Sequence, residues 1–289
     1  MMDKLRGYLR LWRTKHWAKN VFVFMPVPFA LAAGGELDVT RFALGLLGFC
    51  LTNSAAYAFN DVLDAEHDRK HPEKRDRPVA AGRIRPVEAI TSAVILAALG
   101  LILTVSSGSN AAVIIQVIYV VLNVVYSLGG KNVPLLDVFI LSTGFVLRVL
   151  LGCALIDVTP SSWLLLCSSA LALFLSLAKR RGDLARGLGS EQRPALRGYT
   201  VEFLNQAIAI SATMTLIAYA LYSTEAEVLI PGREFASLPF VLFGVLDYLR
   251  VAYLRNAGGS PVDVILSSPA LLFSGIGWSL ATLWSVGIF

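Results

Sequence analysis

The sequence predicts an all-α membrane protein, a helical bundle with about nine transmembrane helices and its N-terminus in the cytoplasm. Two observations carry that expectation. Of 289 residues, 56% are hydrophobic and only 16% are charged, too apolar a balance for an ordinary soluble domain. Apolar stretches of roughly 20 residues, the length a helix needs to cross the hydrocarbon core, also recur along the whole chain.

The stretches lie near 20–35, 41–59, 87–106, 110–127, 134–156, 161–178, 203–223, 236–254 and 264–288. Pro26 and Pro28 interrupt the first, and Asp247 sits inside the eighth. A β-barrel would alternate apolar and polar residues over about ten positions. Ala93–Val105 and Val133–Leu147 are instead apolar on consecutive positions, which favours helices. The chain reads as one membrane domain over 1–289. Its first 20 residues are basic and meet the first apolar run without a small-residue cleavage site, so no cleavable signal peptide is expected. Cys50, Cys153 and Cys167 lie far apart inside apolar segments, as small packed side chains rather than as a disulfide or metal set.

Charge placement sets the topology. Lys4, Arg6, Arg10, Arg13, Lys15 and Lys19 precede the first span. Arg69, Lys70, Lys74, Arg75, Arg77, Arg83 and Arg85 follow the second. Lys131 follows the fourth, and Lys179, Arg180, Arg181, Arg186, Arg193 and Arg197 follow the sixth. Arg250 and Arg255 flank the end of the eighth, whereas Arg41 and Arg233 fall on the other side. Basic residues mark the cytoplasmic face, so the alternation predicts an inner or plasma membrane protein with its N-terminus inside and its C-terminus outside. Leu5, Tyr8, Leu9 and Trp12 at helical spacing, with basic residues between them, suit a segment over 1–19 lying in the headgroup layer. The net charge of +5 then needs no nucleic-acid partner.

The second span ends in Asn60-Asp61-Val62-Leu63-Asp64-Ala65-Glu66-His67-Asp68-Arg69. At about 100° per residue, Asp61, Asp64 and Asp68 share one helix face within roughly 60°. Three carboxylates so placed repel one another unless a cation lies among them, and hard oxygen ligands favour Mg²⁺ shared with substrate phosphates. The bland alternative is a solvated acidic turn. His67 and His71 are four apart, but Pro72 and the basic surroundings argue against zinc. Downstream, Pro72 and Pro78 stop the helix and Gly82 permits a turn. Lys74, Arg75 and Arg77 are suited to a diphosphate beside such a metal, or to plain cytoplasmic anchoring.

Asn60-Asp61-x-x-Asp64-x-x-x-Asp68, followed by the stretch from Lys74 to Gly82, resembles the first signature of the UbiA superfamily of intramembrane prenyltransferases. Most members carry a second aspartate-rich motif after the sixth helix. This sequence reads Lys179-Arg180-Arg181-Gly182-Asp183-Leu184 there. That departure is similar to the branch that transfers phosphoribose to polyprenyl phosphate. So are Trp17-Ala18-Lys19-Asn20, Tyr126-Ser127, Lys131 through Asp137, Arg148 and Arg197-x-Tyr199-Thr200. The resemblance implies 5-phosphoribosyl diphosphate, Mg²⁺ and a long-chain polyprenyl phosphate of the decaprenyl type. The lipid-linked product would feed arabinan synthesis in the cell envelope.

On that reading the cytoplasmic loops 60–86 and 179–200 form the active site. Asp61, Asp64 and Asp68 would hold Mg²⁺ on the diphosphate, and Asn60 would orient a carboxylate or touch a phosphate. Lys74, Arg77, Lys131, Lys179 and Arg180 would hold phosphates. Lys19, Asn20, Tyr126 and Arg148 are further substrate-binding candidates. Asp183 could bind a second metal, contact a ribose hydroxyl, or pair with Arg181 and Arg186. One rival is transfer from a prenyl diphosphate to an aromatic acceptor, which shares fold and first motif. A second is a transporter or lipid-binding protein, but transporters place ionisable groups near the midplane, whereas these charges gather at helix ends. Nothing in the sequence fixes an oligomeric state.

Overall fold

The computed structural model describes residues 2–70, 74–189, 193–254 and 261–288; His71 and Arg255 lie outside them, as does the side chain of Leu5. The described residues are helical. In order they form α1 (Met2–Leu11), a 3₁₀ stretch (Thr14–Phe24), α2 (Val27–Ala32), α3 (Val39–Leu63), α4 (Ala65–Lys70), α5 (Pro86–Ser106) and α6 (Asn110–Leu128). After a 3₁₀ turn at Gly130–Asn132 come α7 (Leu136–Leu155) and α8 (Ser162–Ala185), then 3₁₀ Pro194–Gly198. The chain finishes with α9 (Val201–Glu225), α10 (Leu238–Leu254), α11 (Pro261–Ser267) and α12 (Pro269–Ser285).

Among the described residues, six helices are long and apolar enough to cross a membrane: α3, α5, α6, α7, α8 and α9. They coincide with six of the expected spans. The expected span at 20–35 is not one helix: Pro26 lacks the N–H that would continue it, and 3₁₀ backbone gives way to the six-residue α2. The spans at 236–254 and 264–288 correspond to α10 and to α11 with α12. At 17 residues each, α10 and α12 run only about 25 Å at 1.5 Å per residue. Local chemistry sets the starts: the side chains of Asp38, Ser109, Ser161, Thr200 and Ser268 each accept a backbone N–H of the first turn, and Pro86 opens α5.

The chain divides into two compact units. The first comprises Met1–Phe24, Leu37–Lys131 and Leu150–Val158. In it α3 and α5 pack closely because Gly48 faces Gly100: a Cβ on either would lie 2.6 Å from the other's carbonyl oxygen. Beside that contact Gln116 of α6 donates to Thr52 at 2.7 Å and meets Thr104, while Tyr119 donates to Asn53 at 2.9 Å. These bonds fix the rotation of α3 and so the direction in which its last turn presents side chains. Leu11 of α1 is fully buried among Ala58, Ala65, Val79, Ile84, Ala89 and Ala93, with Tyr8 and Trp12 packed against them. This face of the amphipathic N-terminal helix is therefore covered by protein.

The second unit comprises Met25–Glu36, Asn132–Val149 and Thr159–Phe289. Phe174, Leu177, Leu204, Ile208, Val245 and Tyr248 form its core between α8, α9 and α10. At one end Arg181 ties these helices together. It donates to Asn205 at 3.0 Å and to the carbonyl of Ala252 at 2.9 Å, and lies 4.3 Å from the Tyr253 ring centroid.

Candidate active site

Each unit carries a charged cluster. In the first, α3 stops at Leu63 and α4 begins at Ala65, so Asp61, Asp64 and Asp68 do not share one unbroken helix. Asp64 N bonds Asn60 O at 2.9 Å and Asp68 N bonds Asp64 O at 2.8 Å, however, which keeps helical spacing across the joint. The carboxylates are neutralised from three different segments. Asp61 Oδ1 accepts from Arg13 Nη2 at 2.5 Å and from Arg77 Nη1 at 3.3 Å. Arg77 Nη1 also donates to Asp68 Oδ2 at 2.6 Å. Asp64 accepts from Lys131 through Oδ1 and from Asn60 Nδ2 through Oδ2, the latter at 2.9 Å. Ser127 in turn donates to Asn60 Oδ1 at 3.1 Å.

Asp61 is only 1% exposed, and its Oδ2 is buried without a hydrogen-bond partner among the described residues. A bare carboxylate oxygen in such a place is costly unless a cation meets it. The carboxylates do not form a ready-made cage: among the described residues no three His, Cys, Asp or Glu groups are arranged to hold a metal. Mg²⁺ typically takes one or two carboxylates and completes its shell with water and phosphate oxygens. Asp61 Oδ2 with the neighbouring Asp64 fits that mode.

The second cluster is built differently. Arg180 is 0% exposed and donates through Nε to Asp137 at 2.5 Å and through Nη1 to Asp183 at 3.0 Å. Asp183 also accepts from Arg186 at 3.1 Å and Arg193 at 3.3 Å. Tyr199 Oη donates to Asp137 Oδ1 at 2.7 Å and accepts Leu135 N at 2.6 Å. Burial raises the Tyr199 pKa, and its bond to the Asp137 carboxylate raises it further, so the hydroxyl stays a donor. Gly198 lets the chain pass Pro134 here, since a Cβ would collide with that ring.

The expected site residues thus fall into two groups. Asn60, Asp61, Asp64, Asp68, Arg77 and Lys131 are brought together in the first unit. Lys19, Lys74 and Tyr126, in the same unit, are half-buried, and Asn20 is buried with its amide 3.0 Å from Cys50 Sγ. In the second unit Lys179 is half-buried, and Arg148 is buried with Nη1 2.5 Å from the Gly144 carbonyl. Arg180, expected at a phosphate, is fully buried and paired with Asp137 and Asp183. Asp183 pairs with Arg180, Arg186 and Arg193, whereas the expected Arg181 turns to Asn205 and Ala252. Arg13 and Arg193 stood in the sequence only as topology-setting charges, and Asp137 and Tyr199 only within stretches carrying the family resemblance. Arg13 passed as cytoplasmic anchoring, and its pairing with Asp61 crosses 48 positions that no helical period connects.

Comparison with known proteins bears on this arrangement. The chain is 32% identical to decaprenyl-phosphate phosphoribosyltransferase of Corynebacterium glutamicum, over 98% of this chain and 87% of the relative. It is also 32% identical to the Mycolicibacterium smegmatis protein of the same name, over 94% and 90%. Among solved structures, a UbiA homologue of Archaeoglobus fulgidus bound to GPP and Mg²⁺ superposes with a TM-score of 0.74 at 20% identity, over 98% of this chain and all of that one. The family model described as the UbiA prenyltransferase family matches residues 20–258. The chain therefore belongs to the UbiA prenyltransferase family and is a multi-pass membrane transferase.

Proposed function

We propose that this enzyme transfers 5-phosphoribose from 5-phosphoribosyl diphosphate to a long-chain polyprenyl phosphate of the decaprenyl type, releasing diphosphate. The carrying observation is at the end of α8. Asp183, the one acidic residue in the last two turns of α8, accepts from three guanidinium groups. A second metal for a prenyl diphosphate would have to displace three guanidinium groups from Asp183, while a donor and acceptor rich in phosphate match the basic surroundings. Near-full-length similarity to two relatives named for this reaction supports the same choice.

In this reading an oxygen of the acceptor phosphate forms a bond to the ribose anomeric carbon as the bond to diphosphate breaks. A phosphate monoester with a second pKa near 6 is already largely ionised at neutral pH, so the acceptor requires no general base. Asp61 and Asp64, with Asp68 behind Arg77, would hold Mg²⁺, which when bound offsets charge on the departing diphosphate. Asn60 fixes the Asp64 carboxylate, and Lys74, Arg77 and Lys131 of the same unit would supply donors to phosphate oxygens. The reaction would take place at the cytoplasmic face of the plasma membrane and supply a precursor for envelope arabinan.

The test uses purified protein with radiolabelled phosphoribosyl diphosphate, decaprenyl phosphate and Mg²⁺, beside Asp64→Ala. A labelled lipid that vanishes with the variant or with chelator is expected. Prenylation of an aromatic acceptor from a prenyl diphosphate, without any labelled lipid, would refute the proposal in favour of the family's other chemistry.

A further inference from the structure

Arg13 follows α1 at an unusual backbone setting. Its φ is 47°, in the left-handed region that non-glycine residues rarely occupy. Such strain persists where surroundings over-determine it, and here they do. Ser54 Oγ donates to Trp12 O at 2.8 Å and accepts from Trp17 Nε1 at 3.0 Å, pinning the chain on both sides of Arg13 to α3. His16 Nδ1 lies 3.1 Å from Tyr57 Oη, with the two rings edge to face. The Arg13 guanidinium is centred 4.7 Å from the Tyr57 ring centroid, and its Nη2 reaches Asp61 at 2.5 Å. Five side chains, Ser54, Tyr57 and Asp61 of α3 with His16 and Trp17 of the 3₁₀ segment, thus hold the chain around Arg13 and its guanidinium.

That guanidinium has donors left over. Nη2 is its one nitrogen with a protein acceptor among the described residues, and the side chain is 19% exposed. An arginine held by one nitrogen and by its face, with the Nε and Nη1 edge unused, is arranged for the two-point recognition of a phosphate. Charge points the same way. Asp61, Asp64 and Asp68 are balanced by Arg13, Arg77 and Lys131. A divalent cation at Asp61 Oδ2 would leave the cluster with two positive charges in excess, which a diphosphate neutralises.

We propose that Arg13 is a further substrate-binding residue: locked between Asp61 and Tyr57, it presents its free edge to a phosphate oxygen of the diphosphate-bearing donor. This rests on the proposed function above. Arginine preorganised in this way loses little freedom on binding, and lysine, with a flexible point charge, cannot reproduce it.

The experiment uses the full chain in detergent with two probes, Mn²⁺ followed by electron paramagnetic resonance and inorganic ³²P-diphosphate by equilibrium binding. Arg13→Gln is expected to weaken diphosphate binding by about 10–100-fold, the range for a lost charge-assisted hydrogen bond. Arg13→Lys should recover part of that loss. Mn²⁺ affinity without diphosphate should hold or tighten in Arg13→Gln, because a like charge has gone. Should Arg13→Gln fail to fold, Tyr57→Leu keeps the Asp61 pair, frees the guanidinium face, and should still weaken diphosphate several-fold. Unchanged diphosphate affinity in the folded variants would overturn the inference. So would a parallel loss of Mn²⁺ and diphosphate, since Arg13 would then act only through Asp61. Wild-type protein that binds neither probe would instead bring down the proposed function, and this inference with it.

Discussion

The two charged clusters use the same residue types to opposite ends. Around Asp61 the cations arrive from distant segments, Arg13 and Lys131 keep some solvent exposure, and one buried carboxylate oxygen has no partner among the described residues. Around Arg180 the central pair is sealed and every carboxylate oxygen has a donor: Asp137 and Arg180 are both 0% exposed, while Arg193 and Arg186 at the rim are 21% and 36% exposed. A cluster that keeps an unused ligand atom retains capacity for another charge. A lattice closed in the narrower sense that each carboxylate oxygen is engaged has spent its capacity for a cation on holding helices and loops in place. Substitutions should therefore cost activity at the first and stability at the second.

The sharpest separation is expected from Asp64→Ala. Losing this carboxylate should reduce transfer by at least about a thousandfold, on the order of 4 kcal/mol of transition-state stabilisation. Thermal unfolding in detergent should shift little, because Asp64 and its partner Lys131 are both 21% exposed. A large loss of stability with modest loss of activity would erase the distinction between the clusters.

Arg180→Met is the converse. It leaves buried Asp137 with Tyr199 and a 4.0 Å approach of Arg193 Nε, and should cost about 3–5 kcal/mol of stability, as breaking one side of a buried ion pair does. Adding Asp137→Leu to Arg180→Met should regain much of that loss, since buried pairs are often replaceable by apolar groups of similar volume. Chemical denaturation of the single and double variants checks both statements. No comparable rescue of activity is expected from apolar pairs at Asp61 and Arg13.

These contrasts also explain what could be read from the sequence. Helix type and the positions of six spans were legible because apolar composition at membrane length is a local property. Asp61, Asp64 and Asp68 were legible because their spacing repeats the helical period, and the period survives the break at Asp64. The break in the 20–35 segment was illegible to hydropathy because a window averages over Pro26, while the backbone does not. The burial of Arg180 was illegible for a related reason: a basic run after a span looks solvated, and only folding reveals that Asp137, 43 positions earlier, receives it. Arg13, Arg193 and Tyr199 depend on tertiary contacts of this kind throughout.

Tyr199→Phe probes the closed lattice more gently. It removes a 2.7 Å bond to a buried carboxylate and the acceptor for Leu135 N at 2.6 Å. A hydrogen bond to a charged group contributes about 1.5–3 kcal/mol, and stability should fall by that amount. Ring packing is conserved in the substitution, so an unchanged melting profile would mean that Arg180 and Arg193 hold Asp137 without the tyrosine.

The smallest effect is expected from Lys131→Met when stability alone is measured. The Lys131–Asp64 pair retains solvent contact on both sides, and partly exposed pairs contribute about 0–1 kcal/mol. That contribution should fade as ionic strength rises toward 1 M, where the screening length is about 3 Å. The loss in Tyr199→Phe should survive the same salt, because its partners are out of reach of mobile ions. Running both variants across one salt series therefore tests the comparison itself: a salt-insensitive Lys131 effect would place that pair with the closed lattice, and a salt-sensitive Tyr199 effect would show that the Asp137 cluster is open to solvent after all.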